Sequence, residues 1–346
     1  MNDSPLVSII VLNYNAGELL LNCIDSLKKS KYTNLEIIVV DNISSDSSQK
    51  KCKEKFPDIK LIQNKKNLGY CGGNNVGIKE AKGEFIAILN PDTVVEPNCI
   101  GELISAYNDI GEGLFQPKIL SLNEENVLQS TGNMLHIFGF GFARDKGKKV
   151  EEKIEGIEKI GYASGTCLFT SREVFNKVGL LDEFLFLYHD DLDFGWRAAQ
   201  IGIDSFYVPK AKIFHVESYS LKWSAKKFYW LERNRKYCLL THYSKNTHQK
   251  MRFSLAVVDL CVWLFYISKG FLTVKIKAEL EIRKEKKIIE EKYYELENKK
   301  TVSDEQIIKN FPDEIFVPIN VSQQSMNKTF NSILTKLSRK IKKKII

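Results

Sequence analysis

Three carboxylates fall within four residues in Asp190-Asp191-Leu192-Asp193, inside the stretch LYHDDLDFGWR at 187–197. Like charges packed this closely repel unless a metal, an arginine or a bound proton offsets them. On a helix Asp190 and Asp193 share a face, and Arg197 follows Asp193 by four residues, a spacing at which the two can pair. Acids in a first helical turn also favour the helix dipole. That role explains one of them easily and three poorly, so one is a candidate general base. A further acid, Asp92, closes EFIAILNPDT at 84–93, where an apolar run ends abruptly in Asn90-Pro91-Asp92. A carboxylate on such a turn can hold a divalent metal, and a metal can hold a diphosphate. The same tripeptide also serves as an ordinary turn. His215 follows Lys212-Ile213-Phe214. It reads either as a structural strand histidine or as a metal ligand that the fold brings near Asp92.

Polar clusters elsewhere suit a nucleotide. Asn13-Tyr14-Asn15 follows one apolar run and can receive a base or ribose. Asp41-Asn42 ends a second run, where a carboxylate can accept from a base N–H or a ribose hydroxyl. Asp46 with Ser47 and Ser48 reads more simply as a helix cap. The segment Asn67-Leu68-Gly69-Tyr70-Cys71-Gly72-Gly73-Asn74-Asn75 is expected to be a glycine-rich loop ahead of a helix, with close backbone approach to a phosphate. It has neither the dinucleotide-binding glycine spacing nor Gly-Lys-Ser/Thr.

The elements that must position these groups alternate. Strand patterns are expected at Val7–Leu12, Leu35–Val40, Ile59–Gln63, Phe85–Leu89 and Leu114–Gln116. Helical patterns at Glu18–Lys29, Ser47–Phe56, Asn74–Ala81 and Asn98–Asn108 fall between them. This alternation argues for βαβ units and a parallel sheet, with ligands beyond the carboxyl ends of the strands. Residues 121–160 resist assignment. A strand at Tyr162–Arg172 and a helix at Asp190–Ile201 follow, and from Ser220 onward the pattern is helical. The chain divides into a first domain at 1–220, with parts at about 5–120 and about 121–220, and a helical region at 221–346.

The 346 residues carry a net charge of +8, unevenly spread. Residues 1–221 hold 24 Lys+Arg against 30 Asp+Glu, and residues 222–346 hold 27 against 13. A partner attracted by positive charge should therefore meet the C-terminal third. Within Phe253–Val274 only Leu260–Ser268 is free of charge, short of the roughly 20 residues of a membrane-spanning helix. Flanking Lys245, Lys250, Arg252, Lys269, Lys275 and Lys277 favour a helix lying at an anionic membrane interface over a buried helix, and the apolar run fits lipid better than nucleic acid. Lys336, Arg339, Lys340, Lys342, Lys343 and Lys344 extend the basic character. The N-terminus MNDSPLVSIIVLNYN shows no signal-peptide pattern. Seven scattered cysteines without a Cys-x-x-Cys pair suit a reducing cytoplasm.

Together, VSIIVLNYN (7–15), IIVVDNISSDSS (37–48), NLGYCGGNNVGI (67–78), LNPDT (89–93), the stretch from Ala163 to Arg197, and His215 resemble glycosyltransferase family 2, the inverting GT-A enzymes, and within it the rhamnosyltransferase-like branch. The resemblance covers about residues 5–245. It implies an α/β GT-A fold with a mostly parallel central sheet, followed by a helical membrane-associating extension. It implies transfer of a sugar, such as rhamnose, from a nucleotide diphosphate (dTDP-rhamnose or a UDP-sugar) to a glycan or lipid-linked acceptor in surface polysaccharide synthesis. Asn13, Tyr14, Asn15, Asp41 and Asn42 would hold base and ribose. Asn67, Gly69, Gly72, Gly73, Asn75 and Asn90 would border the donor. Asp92 would bind Mg²⁺ or Mn²⁺ with His215, since Asn90 replaces the first acid of the family's Asp-x-Asp motif. Asp190-Asp191 would match the family's Glu-Asp pair, with Asp191 as base beside Asp190 and Arg197. The expected location is cytoplasmic, peripheral on the inner face of the membrane, with no nucleic-acid partner. The alternatives are a nucleotidyltransferase on a similar sheet, which lacks a second metal carboxylate here, and an inactive sugar-nucleotide-binding scaffold.

Overall fold

The computed structural model describes residues 4–150, 156–216, 224–316 and 325–346. Two compact units emerge. The first comprises residues 1–133, 143–195 and 203–219, and the second residues 134–142, 196–202 and 220–346. The boundary expected between residues 220 and 221 lies outside the described residues.

The first unit is built on a mixed sheet. Its parallel block is β4 (Phe85–Leu89), β1 (Val7–Asn13), β2 (Leu35–Asp41) and β3 (Lys60–Gln63), side by side in that order. Every residue of β1 and β4 is buried, as an apolar strand covered on both faces should be. In register, Asn13 pairs with Asp41 and Val11 with Leu89, so these strands end together at one rim. Helices α1 (Glu18–Lys28), α2 (Ser48–Lys55), α3 (Gly69–Glu80) and α4 (Cys99–Ile110) make the crossovers. Helix α1 buries Leu20, Cys23, Ile24 and Leu27 against the sheet, the spacing of one helical face.

Beyond β4 the sheet changes character. β11 (Cys167–Ser171) pairs antiparallel with β4, and β6 (Leu114–Ser121) pairs parallel with the long β12 (Ser205–His215). Two short strands complete this side. β5 (Thr93–Val95) pairs with β12, and β7 (Leu128–Ser130) pairs with β6. The part of 121–160 that resisted assignment thus supplies β7, a short ribbon of β8 (Asn133–Leu135) with β9 (Gly141–Ala143), and β10 (Glu158–Ile160), which pairs with β12. Helix α5 (Arg172–Val178) follows β11, and α6 (Asp190–Gln200) begins at the acid cluster.

The second unit is helical: α7 (Ala225–His242), α8 (Lys245–Ser268), α9 (Leu272–Lys284), α10 (Lys286–Lys299), α11 (Asp304–Lys309) and α12 (Ser325–Ile345). Ser224, Ser244 and Ser303 cap α7, α8 and α11 through their side chains. The apolar run expected to be too short for a membrane span lies in α8, a 24-residue helix long and apolar enough to cross a membrane by length and composition. It buries Met251, Ser254, Val258, Val262 and Tyr266 along one face. Its other face exposes Phe253, Leu260, Leu264 and Ile267, and α9 exposes Leu272, Ile276 and Leu280.

Among the described residues of this unit, Glu232, Asp259 and Glu279 bring carboxylate oxygens close enough for a metal. Cations already neutralise them. Lys275, fully buried, pairs with all three, Lys236 pairs with Asp259 and Glu279, and Arg235 pairs with Glu232. Burial pushes the Glu232 carboxyl up, but Arg235 and Lys275 hold it below the usual range.

Candidate active site

Asp92 and His215, 123 residues apart in sequence, meet because β5 runs back along the end of β12. Thr93 is in register with His215, and the amide N–H of Val216 donates to the carbonyl of Asp92 at 3.0 Å. This puts His215 Nε2 3.3 Å from Asp92 Oδ1, with side chains 14% and 12% exposed. Asp92 Oδ1 is buried and accepts no hydrogen bond. The other ring nitrogen is engaged: His215 Nδ1 lies 2.7 Å from Gln129 Oε1, and Gln129 Nε2 donates to the His215 carbonyl at 2.9 Å. The pair fits a divalent cation. An orphaned carboxylate oxygen faces a ring nitrogen, and neighbouring ligands on one small octahedral ion stand about 3 Å apart. Gln129 lies in the stretch that sequence reading could not resolve, and nothing in its local pattern marks it.

The turn bearing Asp92 is built from beneath. Thr93 Oγ1 donates to the Asn90 carbonyl at 2.7 Å, and the Cys23 thiol lies 3.6 Å from Thr93 Oγ1. Burial pushes the Cys23 and Cys167 thiols up to about 12, so neither is a nucleophile at neutral pH. The Asn90 N–H donates to the Thr166 carbonyl at 3.0 Å, which ties the turn to the 163–166 loop entering β11.

That loop also holds the acid pair. Asp191 Oδ2 accepts from the Gly165 N–H at 3.0 Å, and its Oδ1 from the Leu192 N–H at 2.8 Å. A Cβ at Gly165 would stand 2.8 Å from the Tyr70 hydroxyl and 3.2 Å from Asp190 Oδ2, so only glycine leaves room here. Tyr70 Oη in turn donates to the Gly165 carbonyl. Burial and then the neighbouring Asp191 charge push the Asp190 carboxyl well above its usual range. Burial also raises Asp191, but two backbone N–H groups oppose it. Asp190 is buried and Asp191 partly exposed, so the two adjacent acids sit in different surroundings, and Asp190 is the one that burial and its neighbour's charge turn most against ionisation. Leading into the pair, Phe186, Tyr188 and His189 all have φ between 61° and 67°. Non-glycine residues in that region store strain, and they cluster at functional sites. Arg197 lies two turns past Asp190 and is buried.

The remaining expected residues line the rim at the ends of β1 and β2. Tyr14 is half exposed and Asn15 has φ 55°. Asn15 accepts from the Ser45 N–H at 2.7 Å. Asn13 and Asp41 are buried and bonded to each other: Asn13 Nδ2 donates to Asp41 Oδ1 at 2.8 Å, and the Ser44 N–H donates to Asp41 Oδ2 at 3.0 Å. Both shape the rim from within. Asp46 accepts from the Ser48 and Gly17 N–H groups, which bears out its capping role. The glycine-rich segment is corrected. It is the first turns of α3, not a loop, because its glycines serve close packing. Gly69, at φ +72°, would put a Cβ 2.4 Å from the Phe186 carbonyl, and Gly73 would put one 2.4 Å from Leu12 Cδ1; Gly72 would meet Leu68. Asn67 accepts from the Gly69 N–H, Asn42 donates to the Gly69 carbonyl, and Asn75 both donates to and accepts from the backbone of Leu181. These residues lock α3 against the ends of β1 and β2 and the segment that leads to Asp190.

Residues 8–179 match the model of glycosyl transferase family 2. The chain is 29% identical over 205 residues to the low-salt glycan biosynthesis hexosyltransferase Agl10 of Haloferax volcanii, covering 57% of this chain and 63% of that one. It is 25% identical over 239 residues to the N-acetylglucosaminyl-diphospho-decaprenol L-rhamnosyltransferase of Mycobacterium tuberculosis, covering 63% and 78%. The chain thus spans less than two thirds of the archaeal relative. Among solved structures, GalNAc-T7 with UDP, GalNAc and Mn²⁺ aligns with TM-score 0.57 at 16% identity, over 71% of this chain and 49% of that one. Residues 1–349 of S. aureus TarS align with TM-score 0.51 at 16% identity, over 98% and 90%. These likenesses establish the GT-A fold. With its GT-A sheet and its family match, the chain belongs to glycosyl transferase family 2.

Proposed function

We propose that this protein transfers a sugar from a nucleotide diphosphate to a hydroxyl of a glycan or lipid-linked acceptor, with inversion at the anomeric carbon. The observation that carries this reading is the juxtaposition at one sheet rim of an unsatisfied Asp92–His215 pair and a partly exposed carboxylate, Asp191, both tied to the 163–166 loop. Tyr14 and Asn15 receive base and ribose, on a rim that Asn13, Asp41 and Asn42 hold rigid. Asn90, Asn67 and the start of α3 border the sugar. Asp92 and His215 would hold Mg²⁺ or Mn²⁺, which would supply positive charge to neutralise the leaving diphosphate. Among the described residues no further His, Cys, Asp or Glu completes a group of three with them.

Asp191 takes the proton of the acceptor hydroxyl as its oxygen bonds to the anomeric carbon. The bond from that carbon to the diphosphate breaks in the same step, and the nucleoside diphosphate leaves with the electron pair. Asp190, keeping its proton, adds no second negative charge beside the attacking oxygen. The Mycobacterium relative is named for transfer to a diphospho-decaprenol. That name, with the exposed apolar faces of α8 and α9, supports a rhamnosyl or hexosyl donor and a lipid-linked acceptor met at the cytoplasmic membrane surface.

The test is a screen of dTDP-, UDP- and GDP-sugars for binding and slow hydrolysis, with and without Mn²⁺, on wild type and Asp191→Asn. Turnover should need the metal, and the variant should lose at least about 10³-fold in rate while binding the donor as before. Metal-independent turnover would remove Asp92 from this role, and lost donor binding in the variant would make Asp191 a nucleotide-site residue.

A further inference from the structure

Gln129, outside the expected site, touches a metal-site candidate at two points. It sits in β7, antiparallel to β6, and both ends of its amide reach His215, 86 residues on. The Nε2 end faces the His215 carbonyl at 2.9 Å. That carbonyl can only accept, so the amide orientation is set, and Oε1 must be the atom 2.7 Å from Nδ1. An oxygen there requires a proton on Nδ1. In the neutral ring the lone pair then lies on Nε2, the nitrogen 3.3 Å from Asp92 Oδ1. Two acceptors 3.3 Å apart repel unless a proton or a metal cation lies between them. The same carbonyl also accepts from the Leu122 N–H at 3.0 Å, so the end of β12 is clamped from two sides.

We propose that Gln129 is a positioning residue that holds His215 as the Nδ1–H tautomer and aims its Nε2 lone pair, with Asp92 Oδ1, at one divalent cation. The inference rests on the reading of Asp92 and His215 as the metal pair. Partners that fix the tautomer and orientation of a ligating histidine typically change metal affinity about 10–100-fold when removed. Gln129→Leu removes both contacts at similar volume. Gln129→Glu retains an acceptor for Nδ1–H while placing a second acceptor against the His215 carbonyl.

The experiment uses the full chain labelled with ¹⁵N-histidine at pH 8. Long-range ¹H–¹⁵N correlation reads the tautomer of metal-free His215, assigned by its loss in His215→Gln, and titration with Mn²⁺ alone reads affinity from paramagnetic broadening. Wild type should show the Nδ1–H tautomer. Gln129→Leu should show mixed tautomers and at least tenfold weaker Mn²⁺ binding, and Gln129→Glu should keep the tautomer and bind Mn²⁺ more tightly than Gln129→Leu. An Nε2–H tautomer in wild type overturns the proposal without any variant having to fold. So does unchanged Mn²⁺ affinity in Gln129→Leu when Asp92→Asn abolishes binding. If Asp92→Asn and His215→Gln both leave Mn²⁺ binding intact, the metal reading itself fails, a separate result.

Discussion

At the residue scale the decisive contrast is between two adjacent aspartates. Asp190 is buried beside Tyr70 and Gly165, and Asp191 is partly exposed and accepts from two backbone N–H groups. The folded state keeps the Asp190 proton more tightly than the unfolded chain does. The stability this gives is full below the ordinary carboxylate range and is lost as pH rises through the raised folded value. Asp190→Asn removes the ionisation and keeps the shape. Its melting temperature should exceed wild type by several degrees at pH 8, with the gap closing near pH 4, as scanning calorimetry would show. An equal gap at both values would mean that Asp190 is ionised in the fold. Asp191 is raised as well, so the rate should fall on acidification with a midpoint above the usual aspartate value, readable from a kcat/KM profile.

At the element scale, α3 is where sequence pattern and structure part. Glycines that read as a phosphate loop instead let a helix start against the Phe186 carbonyl and lie close over β1 and β2. Gly69 combines φ +72° with a Cβ position 2.4 Å from backbone oxygen. Gly69→Ala should cost about 1–2 kcal/mol in urea unfolding from the left-handed backbone, and more from the clash with the Phe186 carbonyl. It should also reduce transfer, because Phe186 leads into the strained segment before Asp190. A variant as stable and as active as wild type would mean that α3 shifts freely. Apolar runs made β1, β2 and β4 legible, since each is a wholly or largely buried strand. β5 and β7 were not legible, because three-residue strands carry too little pattern to distinguish from loop.

At the scale of the whole molecule, the N-terminal two thirds are acidic and hold the proposed site, and the C-terminal third is basic. Lys275, fully buried, balances Glu232, Asp259 and Glu279. Burial pulls its pKa down, but those acids more than reverse it. Lys275→Met should destabilise the protein by about 3–5 kcal/mol in denaturant unfolding, because it strands buried negative charge; a neutral outcome would show that water reaches the cluster. Outside this cluster, Phe253, Leu260 and Leu264 are exposed on α8 beside basic residues. The full chain should pellet with anionic vesicles at low salt and be released as salt rises. Leu260→Glu with Leu264→Glu should weaken pelleting severalfold, and failure of wild type to pellet would rule out a peripheral membrane site.

By itself the sequence determined what is local or repeated along the chain: buried strands ending in polar turns, the run of acids opening α6, and the charge asymmetry of the two parts. Those features, in their order, were enough to identify the family and to nominate Asp92, Asp191 and His215. Only the tertiary structure decided which groups meet. Asp92 reaches His215 through the pairing of β5 with β12, Gln129 reaches His215 from β7, and the loop carrying Gly165 and Thr166 joins the Asp92 turn to the acid pair. Strand register across a sheet depends on contacts between residues far apart in sequence, and no short window of the chain records it.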